Sequence, residues 1–184
     1  VSDTEGQFFK LDDYKKLIEG NQTDKDGNLV YLYATDKEAQ YSYIKAANDK
    51  GYNVLMMDGQ LDIPFVSMLE QKNEKSRFVR VDSDVIDNLI RKEDDKKSEL
   101  SADEQAMAST LFKSQIPAIE KSEFYVSFAA LAATDQPVVI TQSEYMRRMK
   151  EMAQFQSGMN FYGELPNAYN LTLNTNHPVV KKVI

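Results

Sequence analysis

Two carboxylates, Asp82 and Asp84, follow directly on the strand-like stretch 77–81, and Asp58 ends a neighbouring stretch of the same kind. Paired carboxylates at the carboxyl ends of parallel strands can hold Mg²⁺ for phosphoryl transfer. A plainer role is open to the same residues. Ser83 or Asp84 can cap the helix that begins near Val85, and capping needs no cofactor. No glycine loop is available to cradle a phosphate, since the seven glycines do not cluster. Capping is therefore preferred, and Mg²⁺-dependent phosphoryl transfer through Asp82, Asp84 and Asp58 stands as the alternative.

The stretch 22–28 (QTDKDGN) has the look of a calcium loop, with Asp24, Asp26 and Gly27 at its third, fifth and sixth positions. The first and twelfth positions would be Gln22 and Tyr33, where that loop needs carboxylates. A turn is expected instead. His177 is the only histidine and there are no cysteines, so neither a histidine-based triad nor a thiolate metal site can be assembled. Between Asn176 and Pro178, His177 is expected in the first turn of a helix, in a structural role.

The stretch 144–162 (EYMRRMKEMAQFQSGMNFY) carries chemistry of another kind. It holds four of the eight methionines. On a helix, Tyr145, Met146, Met149, Met152, Ala153 and Phe155 span about half the circumference. Arg147, Lys150, Glu151 and Gln154 take the other half, with Arg148 at the margin. Methionine is flexible and polarizable, which suits a surface that must accept varied apolar partners. It serves equally well as filler in an ordinary core face, and periodicity does not choose between the two.

The elements that position these residues fall into two halves. Residues 29–34 (LVYLYA), 52–57 (YNVLMM) and 77–81 read as strands rich in Val, Leu and Tyr. Helices are expected around Tyr14, Leu17 and Ile18, then over 37–50, and then from Asp62 with Phe65, Met68 and Leu69 facing inward. Strands alternating with helices through short connections imply parallel pairing with crossover helices. Residues 91–104 (RKEDDKKSELSADE) are a charge run that marks the boundary. Beyond it, Ser101 and Glu104 have capping-box spacing, so a helix starts there, with Met107, Ala108, Leu111, Phe112 and Ile116 on one side. Strands at 124–130, 138–141 and 168–173, the methionine-rich helix from 143 to 156, and a last helix opened by His177 and Pro178 complete the pattern. The expected fold is a small layered α/β unit with a short parallel sheet (1–97), then a mixed α+β domain with an amphipathic helix (98–184).

Composition narrows the function classes. A net charge of −7, from 22 basic and 29 acidic residues, argues against nucleic acid as a partner. No apolar run is long enough for a membrane-spanning helix. The polar start has no leader pattern, and with no cysteines the expected location is cytoplasmic. The missing initiator Met and the apolar last residues make both ends read as cuts, so a segment of a longer protein is expected.

Several passages together resemble the ninety-kilodalton heat-shock chaperone family in its bacterial form. Residues 53–62 (NVLMMDGQLD), followed by Phe65, Leu69 and Glu70, are similar to the passage "GYEVLYMxDPIDE" late in that family's middle domain. Residues 75–81 (KSRFVRV) resemble the strand after it. Residues 137–141 (PVVIT), 146–149 (MRRM) and 173–180 (LNTNHPVV) resemble the C-terminal domain, with its "MxRIM" and "LEINPxHPIV" passages. The Ile of the first motif is replaced, and Tyr145 is the nearest aromatic where eukaryotic members carry a tryptophan.

The resemblance implies a homodimeric, ATP-driven chaperone that binds partly folded client proteins. It implies that ATP and Mg²⁺ belong to the full-length protein, with no cofactor, metal or catalytic residue in this segment. The dimerising helices are expected after Ile184. In the family the counterpart of 144–162 projects apolar side chains toward clients. On that basis Met146, Met149, Met152 and Phe155, then Met159, Phe161 and Tyr162, are the expected client-contact residues.

Overall fold

The computed structural model describes residues 1–59, 61–92, 100–153 and 166–184. The chain divides into two compact units, Val1–Asp94 and Asp95–Ile184.

In the first unit, strands β1 (Ser2–Asp3), β2 (Leu29–Ala34), β3 (Val54–Met56) and β4 (Ser76–Arg80) form one sheet in the order β1-β3-β2-β4. Among the described residues four helices accompany them: α1 (Leu11–Ile18), α2 (Tyr41–Asp49), α3 (Asp62–Lys72) and α4 (Ile86–Leu89). Strand β2 runs parallel to both neighbours, with Leu32 opposite Val54 and Tyr31 opposite Phe78. The α/β class holds. The sheet gains an antiparallel edge, because β1 pairs with β3, and two residues are too few to show as a pattern.

All six residues of β2 are buried, as befits a central strand covered on both faces. Its side chains alternate between two cores. Leu29, Tyr31 and Tyr33 join Tyr14 and Ile18 of α1 and Val66 and Leu69 of α3. Val30, Leu32 and Ala34 join Ile44 and Ala47 of α2 and Leu89 of α4. Tyr31 stacks on Phe78 at 4.5 Å between ring centroids. Burial among these rings pushes the Tyr14 phenol pKa far up, with Asp3 nearby adding to the effect. One expectation is corrected on α3: Val66 and Leu69 face the sheet, while Phe65 and Met68 are exposed. The helix meets the sheet along the Val66–Leu69 side, with Ile63 packed against the same core, and Phe65 and Met68 fall outside that side.

In the second unit, β5 (Ser122–Ala129), β6 (Val138–Gln142) and β7 (Asn167–Asn174) form a mixed sheet in the order β5-β7-β6. Strand β7 is parallel to β5 and antiparallel to β6, so Leu171 lies between Val126 and Ile140. Helices α5 (Ala102–Gln115), α6 (Glu144–Ala153) and α7 (Pro178–Val183) complete it, an α+β arrangement as expected. Among the described residues the buried cluster is Leu171, Leu173 and Val180, with Phe112, Ile116, Val126, Phe128 and Val138 packed half-buried around them.

The start of α5 is the capping box read from the sequence. Glu104 N–H donates to Ser101 Oγ at 3.3 Å, and Ser101 N–H donates to Glu104 Oε2 at 2.8 Å. Of its expected apolar side, Ala108 is buried while Met107 and Leu111 are exposed. His177 is the N-cap of α7, where its Nδ1 accepts from Val179 N–H at 3.2 Å and Pro178 opens the helix. The asparagines before it are spent on backbone. Asn174 Nδ2 donates to Ala132 O at 2.8 Å, and Asn176 Nδ2 donates to Leu131 O at 3.0 Å.

Candidate functional site

The carboxylates that could have bound Mg²⁺ are otherwise engaged. Asp82 takes Arg80 in a two-point pair, with Nε to Oδ1 at 2.5 Å and Nη2 to Oδ2 at 2.9 Å. Asp84 Oδ1 accepts from Val85 N–H at 2.7 Å and Asn88 Nδ2 at 3.1 Å, which makes it the clasp at the start of α4. Asp58 is exposed on its turn. Among the described residues no group of three or more acidic, histidine or cysteine side chains could hold a metal ion. The phosphoryl-transfer alternative therefore finds no support, because each carboxylate of the adjacent pair already has a structural partner.

The turn at 22–28 is likewise closed on itself. Asp24 Oδ1 accepts from the backbone N–H of Asp26 at 3.0 Å and of Asn28 at 2.7 Å. Gln22 bridges β2 and the start of β3, donating to Val30 O at 2.9 Å and accepting from Asn53 N–H at 2.6 Å. Burial alone would raise the Asp24 pKa. The hydrogen bonds from Asn28 and Asp26, with the nearby Arg77 guanidinium, outweigh it and hold the carboxyl below the usual aspartate range.

The methionine-rich helix is built differently. Helix α6 begins after Ser143, whose carbonyl accepts from Arg147 N–H at 3.1 Å. Arg147 donates through Nη1 to both carboxylate oxygens of Glu151 (2.6 and 2.7 Å) and through Nη2 to Glu144 Oε1 at 2.7 Å. Arg148 Nε donates to the same Glu144 oxygen at 2.6 Å. Burial pushes the Glu144 pKa up, but the two guanidinium groups outweigh this and hold it below the usual glutamate range. Lys150 Nζ donates to Asn167 Oδ1, at the start of β7, at 2.7 Å.

Exposure along α6 runs against an ordinary amphipathic helix. Arg147, on the charged half, is only 4% exposed, whereas Tyr145 and Met152, on the apolar half, are 70% and 38% exposed. Met146 and Met149 are half-buried and Ala153 is buried. At 3.6 residues per turn, the inward arc is Ala153, Met146, Lys150 and Arg147, and the outward arc is Arg148, Met152, Tyr145 and Met149. An unpaired buried guanidinium would cost several kcal/mol. The two carboxylates one turn to either side let Arg147 be buried as a locally neutralised group.

Of the expected contact residues, the structure therefore places Met152 on the surface and Met146 and Met149 at its margin. Phe155, Met159, Phe161 and Tyr162 lie outside the described residues. Tyr145 is the most exposed residue of α6, and the sequence reading put it on the apolar face without naming it as a contact. The signal for a buried arginine was present as Glu144, Arg147, Arg148 and Glu151 at spacings of three and four. Periodicity alone assigns such residues to solvent.

No protein-family model matches the chain. Against curated proteins it is 60% identical over 183 residues to the chaperone protein htpG of Bacteroides fragilis (strain YCH46). It is 60% identical to the chaperone protein HtpG of Bacteroides thetaiotaomicron, and 56% identical to that of Porphyromonas gingivalis (strain ATCC 33277). Each alignment covers 100% of this chain and 27% of the relative, so the chain spans about a quarter of the length of the curated relatives it matches.

Proposed function

We propose, given that this chain belongs to the bacterial ninety-kilodalton heat-shock chaperone family as a segment of it, that it supplies scaffold and contact surface for partly folded client proteins. In the longer protein, residues 1–97 form the rear of a middle domain and residues 98–184 most of a C-terminal domain. That protein works in the cytoplasm as a homodimer driven by ATP, with ATP and Mg²⁺ held outside this segment. Its partners are polypeptides, and neither nucleic acid nor membrane is among them. No helix among the described residues is long and apolar enough to cross a membrane.

The observation that carries the contact surface is the outward turn of Tyr145 and Met152 on α6 while Arg147 is buried. A helix with one apolar side normally packs that side inward. Large adaptable side chains left at the surface suit transient contact with unfolded chains of varied sequence. Met149 and Met146 extend the surface at its margin, and Phe155, Met159, Phe161 and Tyr162 are proposed to continue it.

The test is binding of a labelled, partly unfolded protein to this chain, compared with a Tyr145→Ser, Met152→Ser variant of verified fold. Binding should weaken roughly tenfold or more, since two large apolar anchors are removed. Unchanged binding would place the client surface elsewhere.

A further inference from the structure

The outward set of α6 needs an explanation, because two large forces oppose it. Rolling the helix about its axis would bury Tyr145, Met149 and Met152 and return Arg147 to water, which is favourable on both counts. The helix's own sequence therefore does not select the observed roll. A tertiary contact has to, and the hydrogen bond from Lys150 Nζ to Asn167 Oδ1 is a contact of that kind, joining α6 to the sheet of the same unit.

The acceptor is well placed to set a helix's orientation. Asn167 is the first residue of β7, opposite Ser122 of β5, and its N–H donates to Lys121 O at 2.8 Å. Its backbone is thus fixed by the central strand before its side chain reaches Lys150. On the helix, Lys150 lies at the middle of the inward arc, between Met146 and Arg147. A bond made there resists rotation of the helix about its axis.

We propose that Lys150 and Asn167 are positioning residues that lock α6 with its Tyr145, Met149 and Met152 arc facing outward. The glutamates at 144 and 151 assist by neutralising Arg147 so that the inward side can stay buried. The lock does not depend on what the arc contacts; its consequence for clients rests on the function proposed above.

The experiment reads the arc directly, through the oxidation rate of Met152 by hydrogen peroxide, followed by mass spectrometry. Met68, equally exposed at 38% but on α3 of the first unit, is the internal reference. Asn167→Leu removes the acceptor. The Met152 to Met68 rate ratio should then fall roughly tenfold, as expected for loss of one hydrogen bond to a charged group. Asn167→Asp keeps an acceptor for Lys150 and should restore the ratio. Lys150→Met breaks the bond from the helix side without altering the strand, so it reports on the lock even where a change in β7 disturbs the sheet. Amide exchange at Leu171 and Leu173 verifies that the sheet is intact.

An unchanged ratio in both Asn167→Leu and Lys150→Met, with the sheet protected, overturns the lock. A ratio that falls in both, with Asn167→Asp restoring it, supports the lock whatever happens to client binding. If client binding then stays constant while Met152 becomes protected, the lock stands and the proposed client surface fails.

Discussion

The two units differ in the buried clusters that hold their sheets. In the first, β2 is buried end to end and feeds a core on each face of its sheet, with two helices closing each side. In the second, Leu171, Leu173 and Val180 form the buried cluster among the described residues, while Met107, Leu111, Tyr125, Ile140, Tyr145 and Met152 are exposed. The difference follows from what covers each sheet. A sheet flanked on both faces puts the apolar residues of its central strand into the core, while Leu17, Tyr41, Phe65 and Met68 on the flanking helices stay exposed. A three-stranded sheet with a small core leaves apolar residues over, and these are available for contact with something else.

The comparison breaks most readily in the centre of the first unit. Leu32 is wholly buried between Val54 and Val79. Leu32→Ala should cost about 3 kcal/mol, measured as a lower denaturant midpoint for that unit. A loss under about 1 kcal/mol would mean that the two-faced core is looser than its packing implies.

A smaller loss is expected at the turn. Asp24→Ala removes the acceptor for two backbone N–H groups and for the Asn28 side chain, and should cost about 2 kcal/mol. Because the folded pKa of Asp24 is lowered, its contribution is complete above the ordinary aspartate value of about 3.9 and is lost as pH falls through the lowered folded value. Acid titration of stability should thus show a step below about pH 4 that is missing in Asp24→Asn.

The smallest stability effect belongs to the exposed arc of α6. Tyr145→Ser should change unfolding free energy by less than about 0.5 kcal/mol, because so little of the side chain is buried. A large loss there would sharpen the contrast in reverse, by showing that Tyr145 is core after all.

Much of the fold was legible because local pattern and tertiary role agree. Continuous apolar runs marked β2 and β3, the Ser101–Glu104 spacing marked the start of α5, and Pro178 marked that of α7. Legibility stopped where only part of an apolar face is used. Phe65 and Met68 were expected inside with Leu69, yet only Val66 and Leu69 are buried. Sequence periodicity gives the direction of a hydrophobic face but not the width of the surface that will receive it. Ser83 or Asp84 was expected to cap α4, yet Val85 is its N-cap and no side chain caps it; Asp84 stands one residue early and holds the Val85 N–H and the Asn88 side chain instead.

The amino-acid sequence by itself determined the order and type of the longer elements and the family resemblance, because these rest on short-range pattern and on motifs in a set order. It also determined that α6 has an apolar half and a charged half. Only the tertiary structure decided that the inward arc straddles the two, taking Ala153 and Met146 together with Lys150 and Arg147. That choice joins Lys150 to Asn167, residues on different elements, and local periodicity carries no information about a bond between a helix and a strand that follows it.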